Sequence, residues 1–392
     1  MNSKNKVSVI VPTMGFPDSV NEILHKLKLQ THQPDEVILV DSSIDDSVKE
    51  IAKKYKSFLN IELIEVIKAF PGEARNLGVK KSSYSVLAFL DSKTIPNEDW
   101  LKNGLDKLEI YEDSIIFGST LYKAKTKKQK IIQACIFGSR PITTTPGSIL
   151  NKKTFLDIGY FVEGVRTSDD LEWRNRILRN NLITIIPSTY TLTYSHISKE
   201  FGQEIKRQFI YQIHSAFTDV QLKTKTVIFG LSLILLTLII PQWNALVGWE
   251  ESFLYIPNIT KSYFYLISAF SFVILAFSSF YKEMNVLIKF IVGIFFIISC
   301  YVVFQWNFVM ADWIEESVFY IPHITKIYLS TLILMALLFR GIYKPLTMGI
   351  SKNYLFLVRW LWIGIIGIIL DLAKIPGYLL GALIALKRRL IG

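Results

Sequence analysis

The chain has 392 residues, 51% of them hydrophobic, and a formal charge of +11 at pH 7. So high an apolar share argues against a purely soluble protein, and the basic residues stand largely beside hydrophobic segments, where anionic lipid head groups account for them more simply than nucleic acid does. Two cysteines, Cys135 and Cys300, exclude a disulfide framework and a thiolate metal site, and both read as core filler.

The apolar residues are unevenly spread: up to about Lys225 the chain is mixed and charged, and beyond it come long apolar runs with short polar breaks. Residues 1–6 are polar and the run 7–11 is too short for a signal peptide, so the first half is expected to stay in the cytoplasm. That β-branched run predicts a strand ending at Pro12 and Thr13, and the spacing of Ile23, Leu24, Leu27 and Leu29 predicts a helix after it. Residues 37–40 predict a second strand closing on Asp41, 48–55 a second helix, 61–67 a third strand, and 86–90 a fourth closing on Asp91. Such alternation implies a mostly parallel sheet with helices on both faces and ligands at the carboxyl ends of its strands. Any one acid there is as well explained as a helix cap or turn residue. Thr13, Asp41 and Asp91 on one edge together point to a site.

Six segments follow in order: Val7-Ser8-Val9-Ile10-Val11-Pro12-Thr13, Glu36-Val37-Ile38-Leu39-Val40-Asp41-Ser42-Ser43, Pro71-Gly72-Glu73-Ala74-Arg75-Asn76-Leu77-Gly78, Leu87-Ala88-Phe89-Leu90-Asp91-Ser92-Lys93, Phe155-Leu156-Asp157-Ile158-Gly159-Tyr160-Phe161 and Ser168-Asp169-Asp170-Leu171-Glu172-Trp173-Arg174. In this order they resemble the family 2 glycosyltransferases. The resemblance implies an α/β, Rossmann-like GT-A nucleotide-diphospho-sugar transferase domain over residues 1–199. It further implies that Asp41, with Pro12 and Thr13 beside it, holds the donor's base. Ser42 and Ser43 replace the family's usual Asp-Gly, which leaves open which base is read. The family's Ala-Arg-Asn segment falls on Ala74, Arg75 and Asn76, placing Arg75 at donor phosphate or ribose; the alternative is a solvated first-turn arginine after a turn at Gly72.

At Asp91-Ser92-Lys93 the family usually has Asp-x-Asp holding a divalent metal, Mg²⁺ or Mn²⁺, on the donor diphosphate. A protonated lysine is no metal ligand, so either Lys93 places a fixed positive charge on the diphosphate, or a metal is still held by Asp91 with His196. The resemblance makes Asp170 the general base of an inverting displacement and gives Asp169 a positioning role on the acceptor side. Both could instead be first-turn helix acids. Trp173 either lines the acceptor pocket or belongs to the core.

Phe201, Ile205, Phe209, Ile213 and Phe217 fall four apart, so residues 200–225 read as an amphipathic helix on the membrane surface, with packing on its own domain as the alternative. Spans are predicted at 227–240, 263–281, 286–304 and 327–339 within a transmembrane unit, all-α, at 226–343. It contains a repeat: Trp243-Asn244 lies on Trp306-Asn307, Glu250-Glu251-Ser252 on Glu315-Glu316-Ser317, and Tyr255-Ile256-Pro257 on Tyr320-Ile321-Pro322. Lys223, Lys225, Lys282, Arg340, Lys344 and Lys352 lie opposite those acidic connections, as a cytoplasmic N-terminus requires. Residues 344–392 read as a re-entrant or interfacial segment, interrupted at Asp371 and Lys374, with a basic end. The function implied is transfer of one sugar from a nucleotide-sugar to a polyprenyl-phosphate or polyprenyl-linked glycan acceptor at the cell membrane. The alternatives are a processive synthase, against which the weak match to a Gln-x-x-Arg-Trp element near Gln203 and the few spans count, and a catalytically silent scaffold.

Overall fold

The computed structural model describes residues 6–218, 334 and 336–391, and the expected spans at 227–240, 263–281 and 286–304, residues 327–333 and 335 of the span at 327–339, and the repeated connections lie outside them. Contacts divide the chain into one unit of residues 1–220, 337–370 and 381–392 and another of 221–336 and 371–380.

In the first unit, strands β1 (Val7–Thr13), β2 (Glu36–Asp41), β3 (Ile61–Glu65) and β4 (Val86–Phe89) alternate with helices α1 (Pro17–Lys28), α2 (Ser47–Tyr55) and α3 (Pro71–Lys81). They pair in parallel in the order β3-β2-β1-β4, with Thr13 registered on Asp41. The strand period of two divides the core. Val7, Val9, Val11, Val37, Leu39, Val86 and Ala88 bury one face under α1, α2 and α4 (Trp100–Ile110), while Ile10, Ile38, Val40, Leu87 and Phe89 bury the other. Burial on both faces is why these strands read as continuous apolar runs.

Beyond β4 the expected parallel order ends. A short β5 (Thr94–Pro96), then β6 (Ile115–Tyr122), α5 (Lys127–Ile136) and β7 (Ile142–Asn151) extend the sheet, with β7 antiparallel to both β4 and β6. Two short strands, β8 (Thr184–Ile185) and β9 (Leu192–Tyr194), complete it after α6 (Lys152–Ile158) and α7 (Asp169–Arg179).

Helix α8 (Phe201–Ser215) buries Glu204, Gln212 and Ser215, and Ile205 packs into a cluster with Ala134, Cys135, Ile350, Leu355, Ile363 and Leu370. Phe201, Ile205, Phe209, Ile213 and Phe217 are each half-buried. After short helices α9 (Lys344–Thr347) and α10 (Lys352–Leu355), α11 runs unbroken from Arg359 to Ile391. The two charges that interrupt the apolar run lie within this helix and pair with each other, Lys374 Nζ donating to Asp371 Oδ1 at 2.9 Å.

Candidate active site

The parallel strands end together, and their ends carry the expected polar groups. Asp41 is buried, and its Oδ1 accepts from Thr13 Oγ1 at 2.7 Å, Ser43 Oγ at 2.6 Å and the Ser43 amide at 3.2 Å. Among the described residues all three bonds fall on one oxygen, and Oδ2 has acceptor capacity to spare. Ser43 thus does structural work in place of the family's Asp-Gly: its hydroxyl orients Asp41 and also accepts from the Gly15 amide at 2.7 Å. Pro12, half-buried, pairs with Val40 one residue before this point.

The acids of the two halves of the sheet meet on Arg75. Its Nη2 donates to Asp91 Oδ1 at 2.5 Å and its Nη1 to Asp169 Oδ2 at 2.6 Å, with the arginine 3% and Asp169 4% exposed. Arg75 is therefore a clamp between carboxylates: each terminal nitrogen gives one hydrogen bond to an acid, and its enclosed Nε has no partner among the described residues. The clamp exists because α3 packs tightly on the turn before α7. A Cβ at Gly72 would lie 2.7 Å from the Val162 carbonyl, and Asn76 ties down that turn through the Phe161 carbonyl and amide, each at 2.9 Å. Ser168, which leads into α7, is held in the left-handed region at φ 71°.

Asp170 differs from its neighbour. It is half-buried, and among the described residues its Oδ1 accepts only from the Leu171 amide, at 2.8 Å. Burial pushes the carboxyls of both Asp169 and Asp170 above the ordinary range, Arg75 opposes, and Asp91 adds to the rise in each. Asp91, Asp169 and Asp170 therefore form one electrostatic group around a single guanidinium.

Basic and aromatic side chains that sequence reasoning found only in part act on this group electrostatically. Lys93 Nζ stands 3.4 Å above the centroid of the Phe16 ring and has no ion pair among the described residues. Burial lowers its pKa, the guanidiniums of Arg207 and Arg166 lower it further, and Asp91 opposes. Arg207, on α8, is held at 3.0 Å by Glu204, and Arg166 belongs to the turn whose amide donates to His214 Nδ1 at 3.2 Å. An aromatic wall adjoins them. Tyr122 stacks on Phe137 at 4.1 Å and lies 5.1 Å from Tyr194. Burial pushes the Tyr122 hydroxyl up, with Asp170 and Asp91 adding to the rise, and pushes Tyr194 up to about 12. Of these residues the sequence singles out Lys93, and the imperfect element near Gln203 falls on α8.

One expectation is corrected here. Trp173 is 0% exposed and packs among Phe89, Phe155 and Phe161, so it is a core residue that cannot line an acceptor pocket. Asp91 Oδ1 accepts from Arg75 and His196 Nε2 lies 3.3 Å from Ser19 Oγ, while burial and the nearby Lys93 charge lower the histidine's pKa and favour its neutral form. Among the described residues no three His, Cys, Asp or Glu side chains gather as a metal group. A cavity of about 310 Å³ beside α4, lined by Trp100, Lys107, Ile110 and Thr191 among others, contains none of the acids.

Residues 8–168 match the family model "Glycosyl transferase family 2". The glycosyltransferase AglE of Haloferax volcanii is 26% identical over 222 residues, covering 52% of this chain and 70% of that protein. The poly(ribitol-phosphate) beta-N-acetylglucosaminyltransferase TarS of Staphylococcus aureus is 25% identical over 223 residues, covering 52% of this chain and 38% of that protein. The crystal structure of S. aureus TarS 1-349 in complex with UDP-GlcNAc aligns with a TM-score of 0.40 at 16% identity, over 78% of this chain and 92% of that one.

Proposed function

Since residues 8–168 form a family 2 glycosyltransferase domain of GT-A fold, we propose that this chain moves one sugar, with inversion, from a nucleotide-sugar to a membrane-associated acceptor, a polyprenyl phosphate or polyprenyl-linked glycan. Asp41, with Thr13 and Pro12, holds the base through its uncommitted oxygen. Asp170 is the general base: it takes the proton of the acceptor hydroxyl as that oxygen bonds to the anomeric carbon, while the bond from that carbon to the nucleoside diphosphate breaks and its electron pair leaves with the diphosphate. The Arg75 clamp positions Asp91 and Asp169.

The observation that carries this reading is the contrast between the adjacent acids. Both carboxyls are raised by burial, but Asp169 is enclosed and paired with Arg75, whereas Asp170 is half-buried and accepts no side-chain hydrogen bond among the described residues. Such a carboxylate is poised as a base rather than as a structural ion. The names of AglE and TarS support glycan synthesis as the setting. A membrane-borne acceptor is supported by one helix, residues 359–385, long and apolar enough to cross a bilayer.

The test is release of nucleoside diphosphate by the detergent-purified protein across a panel of nucleotide-sugars, with membrane-lipid extract as acceptor and Asp170→Asn as control. Turnover abolished in Asp170→Asn supports the assignment; equal turnover in the two proteins overturns it.

A further inference from the structure

Helix α11 has two apolar faces, one buried and one exposed. Ile363 and Leu370, seven residues apart, are buried in a cluster with Ala134 and Cys135 of α5, and the Cys135 Sγ donates to the Ile363 carbonyl at 3.4 Å. Trp362, Ile369, Pro376 and Leu383, also seven apart, are exposed and make a stripe at two-turn spacing. Between Arg359 and Lys387 the only charges are Asp371 and Lys374, which pair with each other. Before the stripe comes an exposed tip, Phe356-Leu357-Val358, directly after Leu355, which is buried in the same cluster as Ile363. Leu357 takes the left-handed backbone at φ 61°, a conformation that bulky side chains rarely adopt. Exposed cations stand at both ends: Lys352 and Arg359 around the tip, Lys387 after the stripe.

We propose that this tip and stripe lie in the interface of an anionic bilayer leaflet, with α11 along the membrane plane rather than across it. The inference deepens the membrane-associated part of the reading above, on which it rests, and is measured without sugar transfer.

The buried face decides how the helix lies. Helix α5 stands between β6 and β7 and α8 follows β9, so both belong to the catalytic domain. They carry exposed charges, Lys127, Lys128 and Lys130 on α5 and Lys206 on α8. Helix α11 meets α5 at Ile363 and α8 at Gly381, where a Cβ would collide with the Ile213 carbonyl. Those contacts are eighteen residues apart, about 27 Å along a helix, against a hydrocarbon core of about 30 Å. A helix crossing the bilayer with both contacts kept would draw lysines and irregular backbone of the catalytic domain into hydrocarbon, where neither is tolerated. In the interface the domain stays in water, and the exposed stripe is buried at the acyl boundary. The cations at the two ends then meet lipid phosphates, and Trp362 takes the headgroup depth that suits an amphipathic ring. An exposed apolar surface of this extent is accounted for by such a partner.

The experiment uses the full chain in vesicles, either of phosphatidylcholine alone or of phosphatidylcholine and phosphatidylglycerol in equal parts. Single nitroxide labels are placed through Trp362→Cys, Ile369→Cys and Leu383→Cys in a Cys135→Ala, Cys300→Ala background that melts like the wild type. Depth is read from collisions with oxygen and with a water-soluble nickel chelate. Expected is one shared depth for all three labels, about 5–10 Å into the headgroup and acyl boundary. In phosphatidylglycerol vesicles, Lys352→Glu combined with Arg359→Glu is expected to lower the lipid-exposed population of the Trp362 label at least fivefold. Ile369 near the bilayer centre, with Trp362 and Leu383 toward opposite surfaces, overturns the in-plane helix and leaves the glycosyltransferase reading standing. An undiminished Trp362 population in the charge variant overturns the anionic leaflet as partner. All three labels in water overturn the proposal and with it the membrane support for the acceptor. Absence of nucleotide-sugar turnover with the shared depth intact counts against the glycosyltransferase reading alone.

Discussion

A carboxylate that must take a proton from a hydroxyl works best when its pKa is lifted toward the working pH. Burial lifts Asp170, and only its deprotonated form accepts, so turnover is expected to rise with pH through an acid limb above about 4, the ordinary aspartate value. Asp170→Asn removes that limb along with about 10²- to 10⁴-fold of rate, checked by a pH profile of single-turnover transfer. Stability follows the opposite sign. A carboxyl whose pKa is higher folded than unfolded favours the fold when protonated, so its penalty grows as pH rises from the unfolded value through the folded one and persists at neutrality. Asp170→Asn is therefore expected to melt above the wild type at pH 7, with the gain shrinking as pH falls; a lower melting temperature would contradict this account. Arg75→Met leaves the enclosed Asp169 without its counter-charge and is expected to destabilise by about 3–5 kcal/mol in urea melts.

Helices α3 and α7 show how elements set the distances those residues need. The N-terminus of α3 approaches the turn before α7 so closely that only glycine fits at position 72. Gly72→Ala is expected to cost about 1–3 kcal/mol through overpacking. By shifting Asp169 and Asp170 relative to Asp91 it is also expected to lower turnover about 10²-fold, measured in the same release assay. The contact was invisible beforehand, because Gly72 reads equally well as a turn residue. Helix α8 teaches a related lesson. Its four-residue spacing correctly marked a helix with two faces, but periodicity does not say what covers a face. Its polar side supplies Glu204 to Arg207, and its Ile205 packs on residues from beyond position 349.

At the scale of the whole chain, α11 meets the length of a bilayer core: residues 359–385 extend about 40 Å at 1.5 Å per residue, against a core of about 30 Å. Phe356 and Leu357, 70% and 73% exposed, precede it, and Trp362, 58% exposed, lies in its first turns. If α11 lies in lipid, a single cysteine replacing Ile369 in a variant lacking Cys135 and Cys300 resists a membrane-impermeant maleimide in intact vesicles and reacts after detergent is added. Labelling at equal rates in both conditions would place this helix in water.

The sequence by itself determined the parallel half of the sheet, its strand-end polar residues and the family, because two-faced burial writes a strand as an apolar run and a loop motif is local in the chain. It also exposed Lys93 as the departure from Asp-x-Asp. Only the tertiary structure decided what those residues touch. Arg75 and Asp169 are 94 positions apart, and a pairing over that span depends on how α3 and α7 meet. Trp173 shows the same limit in reverse: a helical aromatic next to an acidic pair has one pattern whether it faces a ligand or the core, and the packing of Phe89, Phe155 and Phe161 chose the core. Side-chain type is encoded at each position, but orientation and charge environment are properties of the assembled fold.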